Sequence, residues 1–557
     1  MKNIYIPVSI LILIVITIIL IMKSTIKVDM LLVNAKVYTL DSSNTIAEAL
    51  AIKGDKIISV GNTKDLKKEF SSDRIIDLQG KTVIPGLIDG HAHILGEGGR
   101  LETIDLVGTN SVEDIINKIL ERKKNLKPGE WIIGRGWDQN NWEKKEFPTK
   151  EILDETCPQN PVILRRIDGH AVWVNSKTLA LAGIDKNTEE PKGGKILRDK
   201  AHNPTGVLID NAIELINKII PELSEEDIER RVKLAMNECV RFGLTEVHDM
   251  GVDLKTIQVY KRLIDKGECP IRIYAAIDYP SETWLKYLQT GPEYSYGNGM
   301  LVVRAVKLYM DGALGSRGAA LIDEYNDDPG NRGLTIMSEA DMDTVCQNAF
   351  AKGFQVCTHA IGDRANNLTL NGYERAVGKN PSSLDLRWRV EHAQVLNLDD
   401  IPRFTQLRIL PSMQPTHATS DMDWAELRVG KERIRGAYAW RSILQTGSHI
   451  IGGSDFPVEF VNPLFGIYAA VTRKDRDGNP PDGWYKEQCM TREEAIRCFT
   501  EWAAYGAFQE KVKGTLEKNK WADITVINKD IFNIPPEDIL KTEVEMTIVA
   551  GKVVFSK

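Results

Sequence analysis

The apolar and polar positions of the chain fall into three textures. From Ile4 to Met22 the run "IYIPVSILILIVITIILIM" carries no charge, and at ~1.5 Å per helical residue it nearly spans a hydrocarbon core of about 30 Å. Residues 1–27 therefore read as a single-pass membrane anchor. A cleaved secretory leader is the alternative, which would leave a secreted protein. Against it, no small-x-small site follows, and Lys23 and Lys27 come instead. Those lysines and Lys2 are too few to set an orientation, so an extracytoplasmic barrel stays open. Next come short β-like pieces punctuated by Gly54-Asp55 and Gly80, and the far C-terminus, "WADITVINKD" and "VEMTIVAGKVVFSK", has the same texture. Residues 28–82 and 513–557 are expected to form one small β-sandwich, because chain ends often lie close together.

Between these ends, residues 83–512 alternate short apolar runs with helical patterns. The runs are 83–88, 244–249, 271–278, 303–309, 355–359, 388–392, 408–413 and 449–454. Eight such repeats predict an α/β fold of the (β/α)8 TIM-barrel class. "SEADMDTVCQNAFAKG" illustrates the helices, with Ser338 as the cap and Gly353 as the stop. Two further strand-like pieces, "EWIIGRGWD" and "VILRRIDG", are placed in an insertion at about 96–235.

Charge narrows the function classes. With 71 Lys+Arg against 78 Asp+Glu, spread evenly, the chain lacks the basic stripe of a nucleic-acid binder. Seven scattered cysteines with no CxxC pair indicate neither a disulfide framework nor a thiolate zinc site.

Chemistry enters with the histidines. His91 and His93 close the first run, His248 the second, His359 the fifth and His392 the sixth. Barrel enzymes gather their catalytic groups at the C-terminal ends of strands. Residues two apart share one face of a strand, so His91 and His93 can reach one ion. Alone, each histidine is more often a hydrogen-bonded structural residue. "DGHAH", "THAIGDRA", "VEHAQ" and "GGSDFP" in order at successive strand ends point instead to a divalent metal site, with imidazole and carboxylate donors suited to Zn2+. Asp455 is placed to act as general acid/base. Lys307 sits near the end of the fourth run, where burial favours its neutral amine. A Schiff-base nucleophile and a CO2-derived carbamate are both open to it.

With "PGLIDGHAH", "VKLYMDGALGSR", "THAIGDRA", "VEHAQ", "GSDFPVE" and the tail "WADITVI…TIVAGKVV", the chain resembles the amidohydrolase superfamily from about residue 28 onward. Within it, the likeness is to the YtcJ-like amidohydrolase-3 group that includes N-substituted formamide deformylases. The resemblance implies a distorted barrel with a β-sandwich from both chain ends. It implies that His91 and His93 hold one metal together with Asp455, that His359 and His392 hold a second, and that the carbamate of Lys307 bridges them. It also implies hydrolysis of a carbon–nitrogen bond in a small-molecule amide, formamide or cyclic amide by a metal-bridging hydroxide, with Asp455 moving the proton. An ester, lactone or phosphoester hydrolase on the same site, or an inactive membrane-anchored scaffold, is the alternative. Trp137, Asp138, His170, Asn175, Asp311, Arg317 and Gln414 are expected to line the substrate pocket, with His417 beside Gln414. A homo-oligomer is compatible with all of this.

Overall fold

The computed structural model describes residues 25–557 except 125, 167, 168, 170, 192, 193 and 379–384. The apolar segment 4–22 lies outside them. Among the described residues, no helix is long and apolar enough to cross a membrane. The chain forms two compact units, one of residues up to 94 with 236–557, the other of residues 95–235.

In the first unit eight parallel strands follow chain order: β1 (Leu87–Ala92), β2 (Leu244–Val252), β3 (Arg272–Asp278), β4 (Leu301–Tyr309), β5 (Gln355–Ala360), β6 (Arg389–His392), β7 (Leu410–Met413) and β8 (Ile451–Gly452). These strands read as nearly continuous apolar runs because helices cover parallel sheets. The helix Glu339–Lys352 shows how each element is delimited. Ser338 accepts from the Asp341 N–H at its start, and Gly353 ends it in the left-handed region (φ 80°), a conformation glycine adopts without a Cβ penalty.

The seam between β8 and β1 makes the sheet a nearly closed barrel. There the Asp455 N–H donates to His91 O (2.7 Å) and the His93 N–H to Phe456 O (2.9 Å). The approach is close enough that a Cβ on Gly90 would lie 2.2 Å from Ile451 Cγ2 and 2.7 Å from Gly452 O.

The first expected run, 83–88, is corrected by the structure. It breaks at Gly86, where a Cβ would sit 2.3 Å from Thr245 Oγ1. Thr82–Pro85 joins the small sheet, pairing with Ile524–Ile527 and Lys36–Tyr38, and only Leu87 onward enters the barrel. That small sheet runs Lys552–Ser556, Val544–Val549, Ile524–Ile527, Thr82–Pro85, Lys36–Tyr38, Ile46–Ala47, and so draws on both chain ends. A four-stranded sheet of Lys56–Gly61, Ala49–Lys53, Met30–Val33 and Ile75–Asp77 accompanies it. Leu32, Val37, Leu50, Val83, Ile524 and Ile548 of these strands share one apolar core.

The second unit carries its own six-stranded sheet, in which Ile132–Trp137 and Val162–Arg166 pair in parallel. Its core holds Trp137, Leu164 and Trp173. The seven cysteines are all free thiols.

Candidate metal centre

Six separated residues meet at the strand ends of the barrel. Lys307 shares the inward parity of Val303 and Ala305 on β4 and is fully enclosed. Its Nζ lies 3.4 Å from His91 Nε2. His93 Nε2 is 3.2 Å and His91 Nε2 3.6 Å from Asp455 Oδ1. The His392 ring packs between those of His91 and His359, with centroids 4.7 and 4.6 Å away.

Strand alternation would put the neighbours Glu391 and His392 on opposite faces, yet both are buried. The backbone resolves this by entering the left-handed region at His392 (φ 73°), and Asp455 is held the same way (φ 62°). Such residues cost on the order of 1–3 kcal/mol each and persist where the surroundings over-determine them.

The tautomers are set from outside the cluster. His91 Nδ1 faces Glu391 Oε2 at 2.5 Å, His93 Nδ1 faces Met250 O at 2.9 Å and His392 Nδ1 faces Gln414 Oε1 at 2.8 Å. Each acceptor requires an Nδ1–H donor, which leaves the Nε2 lone pair of His91 and His392 for a ligand and turns His93 Nε2 to Asp455; metal-binding histidines are oriented in this way. Glu391 is in turn held by Arg389, whose Nε is 2.7 Å from Oε1.

Electrostatics agree with that arrangement. Burial, reinforced by the Lys307 charge, pushes His91 down to about 4 and His359 to about 3, and burial with the neighbouring imidazoles sends His392 well below the usual range. These imidazoles are neutral at pH 7, the form that binds metal. Burial alone would raise Asp455, but the hydrogen bond with His93 and the neighbouring imidazoles hold it down to about 2; burial would lower His93, but the same carboxylate raises it. Burial lowers the Lys307 ammonium pKa.

Two three-residue groups bring their donor atoms within 4.8 Å of one another: His91, His93, Asp455 and His392, His417, Asp455. Among the described residues, His359 Nε2 and His417 Nε2 are buried without a hydrogen-bond partner. Neutral imidazoles, one ionised carboxylate and unpaired ring nitrogens fit a divalent cation such as Zn2+.

Other expected residues are used differently. His248 lies inside the barrel, 3.1 Å from Glu246 Oε1 and 3.0 Å from Arg389 Nη1, and belongs to neither ligand group. Trp137 is fully buried, its indole donating to Leu164 O. Asp138 pairs with Arg166 at 2.6 Å. Asn175 caps the helix Ser176–Leu181 and donates to Cys157 O and Asn160 O. His170 lies outside the described residues. Asp311 accepts the N–H groups of Ala320, Ile361 and Gly362 and so ties two loops together. Arg317 pairs with Asp327 at 2.9 Å. Gln414 touches a candidate ligand, His392. In the structure the polar atoms of Trp137, Asp138, Asn175, Asp311 and Arg317 take part in packing, capping and pairing.

Sequence reasoning passed over Glu391, which lies within the quoted "VEHAQ", Arg389, which precedes it, and Asp89, which accepts from the His91 N–H and the Ser454 hydroxyl. The signal available was strand parity, which turns Arg389 and Glu391 inward together.

Comparison with known proteins agrees with the fold and with a metal-dependent hydrolase. The family model described as "Amidohydrolase family" matches residues 74–555. The amidohydrolase YtcJ of Bacillus subtilis (strain 168) is 33% identical over 533 residues, covering 94% of this chain and 98% of that one. The N-substituted formamide deformylase of Arthrobacter pascens is 27% identical over 544 residues, covering 94% and 97%. The crystal structure of an uncharacterized metal-dependent hydrolase from Pyrococcus horikoshii OT3 superposes with a TM-score of 0.76 at 28% identity, covering 91% of this chain and 99% of that one. The chain therefore belongs to the amidohydrolase family and is a hydrolase of the group that includes YtcJ.

Proposed function

We propose that the protein hydrolyses the carbon–nitrogen bond of a small amide, formamide or cyclic amide, with Asp455 as the acid/base. The observation that carries this reading is the placement of Asp455, ionised, with one oxygen facing both His91 and His93 beside the neutral imidazoles of His359 and His392. The deformylase relative supports the bond type. In this reading His91, His93 and Asp455 hold one Zn2+, and His359 and His392 hold a second. Bound there, the metal lowers the pKa of a coordinated water from 15.7 to about 7 and polarises the scissile carbonyl.

The residues then divide the remaining work. Asp455 accepts the proton of the attacking water at a carboxylate oxygen and returns it to the departing nitrogen, which leaves as a neutral amine. Glu391 and Gln414 keep His91 and His392 turned inward, and burial keeps both imidazoles unprotonated. Lys307 takes up CO2 as a carbamate: the neutral amine favoured by burial forms an N–C bond and loses a proton. An ammonium 3.4 Å from His91 Nε2 would compete with a cation for the same ground, and conversion to an anion removes that conflict. The segment 4–22 holds the enzyme at a membrane, a reading that rests on its uncharged sequence.

The test is a screen of zinc-loaded protein against N-formyl, N-acyl, cyclic amide and ester substrates, with and without chelator. Chelator-sensitive release of an amine is the expected result. Turnover of esters alone, or turnover indifferent to chelator, would overturn the reading. Detergent-dependent solubility that vanishes on deleting residues 1–24 checks the anchor.

A further inference from the structure

Asp455 faces two sets of imidazoles with two different oxygens. Oδ1 is directed to His93 and His91, whereas Oδ2 lies 3.8 Å from Nε2 of His417. His417 comes from the helix Pro415–Asp421 that directly follows β7, and its backbone N–H is fixed on Gln414 O at 3.1 Å. Its ring lies nearly parallel to that of His392, with centroids 5.9 Å apart. Gln414, one turn earlier, holds His392 Nδ1, so the segment 414–417 orients one imidazole and supplies another.

The separation between His417 and Asp455 carries the argument. At 3.8 Å the contact is too long for a hydrogen bond, and His417 Nε2 is buried with no hydrogen-bond partner among the described residues. Leaving a buried polar atom unpaired is costly, and a movement of under about 1 Å would restore a normal bond of about 2.9 Å. The backbone that carries both side chains is set, by the left-handed φ at Asp455 and by the hydrogen-bonded turn at Gln414–His417. Atoms held apart at such spacing are what two ligands of one ion require, since each must approach the metal and not the other.

We infer that His417 is itself a metal ligand, acting with His392 and Asp455 Oδ2 on the second ion, so that Asp455 bridges two cation positions with one oxygen for each. The inference rests on the proposed metal-dependent reading and adds a ligand to it. His359, whose Nε2 turns towards Asp311 Oδ1 at 3.6 Å, flanks that position from the other side of His392.

Zinc titration of the metal-stripped full-length chain, followed by metal analysis after desalting, tests the assignment. Wild type is expected to retain two equivalents. His417→Ala and His417→Asn should keep the first within about twofold of its affinity and weaken the second by more than roughly 100-fold, beyond the 10–100-fold that loss of an outer hydrogen-bond partner produces. His93→Ala should do the reverse. Circular dichroism and melting temperature confirm that each variant is folded, and the asparagine variant covers the case in which alanine collapses the helix. Two equivalents held with unchanged affinity by either folded His417 variant would overturn the inference while leaving the hydrolase reading intact. Wild type that binds no zinc would overturn both.

Discussion

Glu391 Oε2 stands 2.5 Å from His91 Nδ1 inside the barrel, and both side chains are fully enclosed. Burial would raise the carboxyl's pKa, but Arg389 and His91 hold it far below the usual carboxylate range. The carboxylate thus fixes which nitrogen of His91 is offered to a metal. Glu391→Gln is expected to weaken zinc binding at the His91–His93 position by about 10–100-fold, read by competition with a chromophoric chelator. Glu391→Ala should in addition destabilise the fold by about 3–5 kcal/mol, because Arg389 is stranded as a buried charge. Unchanged affinity in a folded Glu391→Gln protein would reduce the pair to a structural one.

Asp455→Asn keeps the shape of the side chain and removes its charge and basicity. Turnover should fall by about 10²–10⁴-fold, the range associated with a positioned acid/base, with a smaller change in KM. A variant whose kcat survives within tenfold would shift the proton-transfer role to another group.

The seam between β1 and β8 makes Gly90 intolerant of any side chain. Gly90→Ala drives a methyl into Ile451 Cγ2 and Gly452 O, and should cost about 1–3 kcal/mol through overpacking. Because His91 and Asp455 are paired across this seam, zinc affinity should drop together with the melting temperature. A stable Gly90→Ala protein with normal zinc binding would mean the seam yields without moving the ligands.

An acid-linked effect is expected far from the centre. Arg441, hydrogen-bonded to Glu494, and the backbone N–H of Thr491 hold that carboxyl down to about 2, below the ordinary value of 4.5. The folded state thus binds the Glu494 proton less readily than the unfolded chain. The stabilisation is present above pH 4.5 and is lost as pH falls from 4.5 towards 2. With much of the group exposed to solvent, the contribution is about 1 kcal/mol after screening. The melting temperature of Glu494→Gln should lie below that of wild type at pH 6 by about 1–2 °C, and the gap should close towards pH 3. A constant gap would assign the effect to the helix cap alone.

The eight apolar runs announced the barrel because parallel strands covered by helices must be continuously apolar, and all eight regions contribute strands to that sheet. The candidate cluster was legible for the same reason. Histidines and an aspartate that end successive strands of a closed parallel sheet have one mouth to share. His91 and His93 on one face follow from strand alternation alone.

Tertiary structure decided what alternation could not. It placed Glu391 and His392 inside together by a left-handed turn, split the first run at Gly86 between two sheets, and gave Gln414 a histidine to orient. It also set His417 across from Asp455. It gave Asn175 a helix to cap and Asp311 three backbone N–H groups to accept from. The sequence by itself determined which residue types stand at strand ends, because period-2 patterning is local. Which of them face one another depends on close packing across the closed barrel, where a single Cβ at Gly90 or a reversed φ at Asp455 changes the partner.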